Sequence, residues 1–317
     1  MSRIGYQDVR AAGARIAGAV RPVGVVPTGT AGVWFALEQL QHTGSFKARG
    51  AQNFLRAHRE AGTLPEAGVT IASGGNAGLA CAWAAGQQGV RATVFLPVNA
   101  PAVKVERLRG YGAQVRLAGR EYAEALAACQ EYAAESGALA SHAYDHPLIA
   151  AGAGTLLEEI RAGLPGVDTV VVAVGGGGLF AGVATAAAEH GIRTVAVEPE
   201  NCRALNAAIE AGAVVDVPVE SVAADSLGAR RVSAQALAVA GRGGASVRSV
   251  LVPEAAITGA RQALWEEHRL VVEHAAATAW AAVRHGAYRP AEGERVCVVL
   301  CGANTDPATV SGVDATD

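Results

Sequence analysis

The chain has 317 residues, 51% of them apolar, and a net charge of −3, which is material for one large or two modest domains with a substantial core. No basic run or interleaved aromatics offers a footprint for nucleic acid, and no apolar stretch reaches the length of a membrane span. No N-terminal segment reads as a secretion signal, and five cysteines without a CxxC pair suit a reducing compartment, so a soluble cytoplasmic protein is expected.

The first notable stretch is "HTGSFKARG" (42–50). Of 26 basic residues only Lys47 and Lys104 are lysine, so generic positive charge is carried by arginine. A lysine retained in such a chain is either an ordinary surface charge or a primary amine needed for chemistry. Only the amine can lose its proton, act as a base or condense with an aldehyde.

Beyond it, β-branched runs alternate with alanine-rich helical stretches, the pattern of parallel sheets covered by helices. Strands are predicted at 69–73, 92–97, 114–118, 169–174, 193–199 and 295–302. Helices are predicted over 76–89, 121–137 and 257–270, and the tail after Pro307 reads as disordered. Cys297 and Cys301 lie four apart on the last strand, on one side of it but too far apart to bond.

Three loops follow strand carboxyl ends, where ligands enter such sheets. "SGGNAG" (73–78) opens a helix, and its amides with Ser73 suit either a small carboxylate or a plain helix cap. "GGGG" (175–178) offers backbone N–H groups and a helix N-terminus to a phosphate. A crowded turn is the structural alternative, and Gly176, Gly178 and Ala181 with Glu198 also fit a dinucleotide fingerprint. "CGAN" (301–304) completes the set, with Cys301 open to reading as a small buried apolar residue.

"TGSFKARGA" (43–51), "SGGNAG", "GGGGL" (175–179), "VEPE" (197–200) and "CGANTD" (301–306) occur in the order seen in the pyridoxal-phosphate enzymes of the serine/threonine dehydratase and serine racemase group. The chain resembles that group over nearly its whole length. The resemblance implies an α/β protein of two domains, each a mostly parallel sheet flanked by helices, with the cofactor in the cleft between them. This is the tryptophan synthase beta-like, type II fold. Residues 1–67 and 146–317 would form the large domain and 68–145 a small mobile one.

Residue by residue, the resemblance makes Lys47 the covalent anchor of pyridoxal 5′-phosphate and the catalytic base, with Phe46 before it. Asn76 would hydrogen-bond the cofactor's 3′ oxygen. Gly175, Gly176, Gly177, Gly178 and Leu179 would bind its phosphate, and Cys301 would face the pyridine nitrogen. Ser73, Gly74, Gly75, Asn76 and Ala77 would hold the substrate carboxylate. A thiol cannot keep the ring nitrogen protonated as a carboxylate would, which favours elimination over reactions needing a long-lived carbanion.

Departures from the group's pattern sharpen the reaction. Gly74 stands where racemases carry a serine acid, and Ala77 where racemases and some dehydratases have histidine, so the expectation is α,β-elimination of water from threonine or serine. A racemase or a β-replacement enzyme is the alternative, although "FKARG" does not match the latter's lysine motif. The group's divalent-metal site would use Glu198 and residue 204, but Ala204 supplies no ligand, so a monovalent ion or none is expected. "ADSLGARR" (224–231) and "GAGT" (152–155) also depart, both near the cofactor in the group, where they would alter substrate choice. The resemblance further implies a homodimer; the short stretch after "CGANTD" leads to the expectation of no regulatory domain, and Lys104 reads as a surface helix charge.

Overall fold

A computed structural model describes residues 4–311. Ten strands are present among the described residues: β1 (Val25–Pro27), β2 (Val33–Ala36), β3 (Val69–Ala72), β4 (Ala92–Leu96), β5 (Gln114–Leu117), β6 (Leu139–Ala140), β7 (Thr169–Ala173), β8 (Arg193–Pro199), β9 (Val247–Val252) and β10 (Val296–Val299). They form two sheets. The larger runs β1-β2-β10-β7-β8-β9 and the smaller β5-β4-β3-β6. Every pairing is parallel except β1 with β2.

Parallel strands are covered on both faces, so they read as unbroken apolar runs. Every residue of β7 and β10 is buried, and Val298 pairs with Phe35 on one side and Val171 on the other. All six predicted strands form. The helices at Asn76–Gln87, Tyr122–Ser136 and Glu254–His268 match the predicted ones, and Gly137, at φ 72°, ends the second. The tail differs from expectation. Ala308–Ser311 make a helical turn, held where Arg261 donates to Thr309 Oγ1 at 2.8 Å, and residues beyond it lie outside the described ones.

Three helices pack closely enough to fix the start of each loop that matters. Helix Lys47–Glu60 crosses helix Pro147–Gly163 where Gly152, given a Cβ, would meet Arg49 O at 2.7 Å. Helix Gly178–Glu189 crosses the same helix where a Cβ on Gly182 would meet Ala150 O at 2.0 Å. Backbones at such distances leave room only for glycine. Arg49, two residues past Lys47, is 0% exposed, and its guanidinium forks onto Glu38 (2.6 and 3.0 Å) and Glu159 (2.6 and 2.8 Å). Buried bidentate pairs of this kind hold geometry, because losing one partner strands a charge in the core.

Candidate active site

Lys47 opens its helix directly after Phe46, and this segment is stitched to the end of the last strand. Phe46 N donates to Cys301 O at 3.1 Å, Ala303 N donates to Gly44 O at 2.9 Å, and Ser45 bridges Gly302. The Lys47 amine donates to Ala143 O at 2.7 Å and stands 4.9 Å from the centre of the Phe46 ring. Burial lowers its pKa to about 8, against the opposing pull of Cys301 and Glu273. Cys301 is itself buried, and the same desolvation pushes its thiol up to about 12.

Around Lys47 lies a cavity of about 750 Å³ between the two sheets. The loop 73–77 after β3 lines one wall, and Gly175–Leu179 after β7 lines another. Both loops run into helix N-termini, whose first N–H groups have no acceptor within the helix. Cys301 and Phe46 close the floor, so the structure brings Lys47, Ser73–Ala77, the four glycines, Leu179 and Cys301 into one cleft.

The glycine loop is also crowded. A Cβ on Gly176 would meet the Tyr144 ring at 2.3 Å, one on Gly178 would meet Tyr144 O at 3.0 Å, and Gly177 sits at φ 91° beside Ala236 and Val232. Close packing and an amide cradle therefore call for the same four residues. The segment 143–144, whose carbonyl meets Lys47 and whose ring covers Gly176, carried no sequence signal.

Several expectations change. Lys104 is no mere surface charge: its Nζ crosses the cleft to Asp225 Oδ1 at 2.9 Å and its side chain lines the cavity. Of the two segments expected near the cofactor, 224–231 lines the cavity, whereas Gly152–Thr155 sit inside the helix crossing and do not. Glu198 is buried away from the cleft, its oxygens accepting Leu205 N and Asn206 N, both at 2.7 Å, just past Ala204. It caps a helix, and burial raises it to about 7 although those amides oppose the rise. A carboxylate committed this way cannot meet a ribose, which removes the dinucleotide reading of Gly176–Ala181.

Glu273 carried no signal in the sequence either. This carboxylate is 5% exposed, lines the cavity and accepts both Asn76 Nδ2 (2.9 and 3.0 Å) and Asn304 N (2.8 Å). No helix among the described residues is long and apolar enough to cross a membrane.

Residues 24–302 match the family described as "Pyridoxal-phosphate dependent enzyme". The chain is 39% identical over 290 residues to an L-threonine ammonia-lyase of Geobacter sulfurreducens, covering 89% of this chain and 69% of that one. It is 37% identical over 286 residues to a human serine dehydratase-like protein, covering 86% and 85%. Among solved structures, maize serine racemase superposes with a TM-score of 0.88 at 28% identity over 98% of this chain and 97% of that one. A T.th. threonine deaminase gives 0.84 at 31% over 95% and 99%. With Lys47, the glycine loop and Cys301 gathered in one cleft inside the matched span, the chain belongs to the pyridoxal-phosphate dependent enzyme family.

Proposed function

We propose that the protein is an ammonia-lyase that removes water from an L-amino acid with a β-hydroxyl group, threonine or serine, and releases a 2-oxo acid and ammonia. The observation that carries this reading is the Lys47 amine, depressed to about 8 in a cleft that also holds two helix-opening loops.

The cleft fits pyridoxal phosphate. The amides of 175–178 line the cleft in a loop where a Cβ on any of the four glycines would press on Leu227, Tyr144 or Ala236, so the backbone is left bare toward a phosphate. When bound, the cofactor supplies an aldehyde for the Lys47 amine and a ring that draws electrons from the substrate Cα. Asn76 and Cys301, which line the cleft, would meet that ring, and Phe46 would pack beside it. The 73–77 amides with Ser73 hold the substrate carboxylate. Lys47, once neutral, takes the Cα proton; the electron pair left on Cα forms the Cα–Cβ double bond as the Cβ–O bond breaks. The departing oxygen takes a proton from an acid in the cleft such as the Lys47 ammonium and leaves as water, and the enamine released hydrolyses to the 2-oxo acid and ammonia.

Elimination is favoured over racemisation by the space around Gly74. A Cβ there would meet Leu96 Cδ2 at 2.8 Å, so a side chain at 74 would have to displace that methyl, and glycine itself offers no group that could reprotonate Cα from another side. The likeness to maize serine racemase keeps racemisation as the second reading. Incubation with L-serine and with L-threonine should give 2-oxo acid while the residual amino acid stays L. D-enantiomer accumulating faster than 2-oxo acid would reverse the order of the two readings.

In the same reading, residues 68–145 form the smaller domain, which closes over the cleft; Lys104–Asp225 and Arg107–Asn304 are among its contacts with the opposite wall. Glu198 has both oxygens engaged, so any resident cation is monovalent and turnover survives a chelator of divalent ions. A homodimer and a cytoplasmic setting complete the proposal, the latter supported by five free, buried cysteines. Light scattering that returns a monomer would remove the dimer.

A further inference from the structure

Asn304 lies behind Asn76, outside the cavity, and every polar atom of its side chain is engaged. Its Nδ2 donates to Asn76 Oδ1 at 2.6 Å and to Thr43 O at 2.7 Å; its Oδ1 accepts from Arg107 Nη2 at 2.5 Å; its backbone N donates to Glu273 Oε1 at 2.8 Å. One residue thus joins the loop before Lys47, the 73–77 loop, a cleft carboxylate and the helix Ala102–Gly110 of the other wall.

The surroundings are bent to make this junction. Thr43, whose carbonyl is one acceptor, has φ 63°, a left-handed conformation that a β-branched residue rarely adopts. Gly44 has φ 76°, and a Cβ there would stand 2.9 Å from Asn304 Oδ1. Glycine is required for the approach.

The chain of amides also has a direction. Arg107 can only donate and the Glu273 carboxylate can only accept. Between them Asn304 must turn its oxygen to Arg107 and its nitrogen to Asn76, and Asn76 must turn its nitrogen to Glu273. Either amide flipped would set oxygen against oxygen or nitrogen against nitrogen. We propose that Asn304 is a positioning residue: as the centre of the chain Arg107–Asn304–Asn76–Glu273, it fixes which face of the Asn76 amide the cleft receives. This rests on the reading above that Asn76 meets the cofactor.

Other charged or titratable groups near Glu273 are Lys47, Cys301, Asp225 and Arg261, and Ser226 donates to it. Burial raises its pKa, while the Asn76 and Asn304 donors oppose that rise and favour the acceptor form the chain requires.

Asn304→Asp keeps the shape but sets an acceptor against Asn76 Oδ1 and Thr43 O. On the cofactor-free full chain the dissociation constant for pyridoxal phosphate should rise about tenfold, the effect of one buried hydrogen bond turned repulsive. The visible band of the bound cofactor should also move. In an Asn76→Ala background the same substitution should add less than about twofold, because the group it positions is gone. Parental affinity with an unmoved band overturns the proposal, as does an undiminished effect in the Asn76→Ala background. Asn76→Ala alone with parental affinity would instead sink the reading of Asn76, and the proposal with it. Arg107 is exposed, so Arg107→Ala serves if Asn304→Asp does not fold; a loss of about threefold is expected, and none would overturn the proposal.

Discussion

An amine at its ordinary pKa is protonated at neutral pH and can neither condense with an aldehyde nor take a proton from carbon. Lys47 is brought into range by desolvation, to about 8. The rate at which cofactor-free protein takes up pyridoxal phosphate should therefore rise with pH to a plateau with a midpoint near 8; stopped-flow absorbance would read it, and a midpoint near 10.5 would contradict it. The same shift works against the cofactor-free fold. Folding disfavours the ammonium, so the penalty is full below pH 8 and disappears as pH rises toward the unfolded value of 10.5. Lys47 itself was legible because arginine had replaced lysine elsewhere. Glu273 was not, and Asn304 was legible only as part of "CGAN" and not by its role, since they meet Asn76 through contacts 197 and 228 residues apart in sequence. Arg49 was hidden for another reason: an arginine reads as exposed until its two glutamate partners, buried Glu38 and half-buried Glu159, are seen.

The helices that start at Lys47 and Gly178 keep their relative position through glycine contacts with the helix between them. Gly182→Ala would force a Cβ to 2.0 Å from Ala150 O and 2.6 Å from Gly154 N, so both backbones must separate. A loss of about 3 kcal/mol in urea unfolding is expected, at the upper end for an overpacked core, with weakened cofactor binding. Gly110→Ala, where a Cβ would meet nothing within 4 Å, should stay within about 0.5 kcal/mol of the parent. Equal effects would mean that the helix crossing does not set the spacing. Elements buried on both faces, such as β7 and β10, were readable as apolar runs. Four strands were not predicted: β1 and β9 are half-exposed at the sheet's edges, β6 has two residues, and β2, although mostly buried, is a run of only four.

The two sheets flank a cleft, and side chains such as Lys104 and Arg107 reach from one wall to the other. Lys104–Asp225 is one such link, between partly exposed groups; a pair of this kind is worth at most about 1 kcal/mol, which lets it break when substrate enters. The fold is shared with racemases and lyases, so architecture alone does not choose the reaction. That choice rests on Lys47 and on what the walls around it can and cannot protonate. The most direct test is Lys47→Ala, purified with pyridoxal phosphate and assayed with L-threonine. A folded protein with no visible absorption band and no 2-oxo acid is the expected result; a yellow Lys47→Ala protein that still turns over threonine would contradict the role given to this amine.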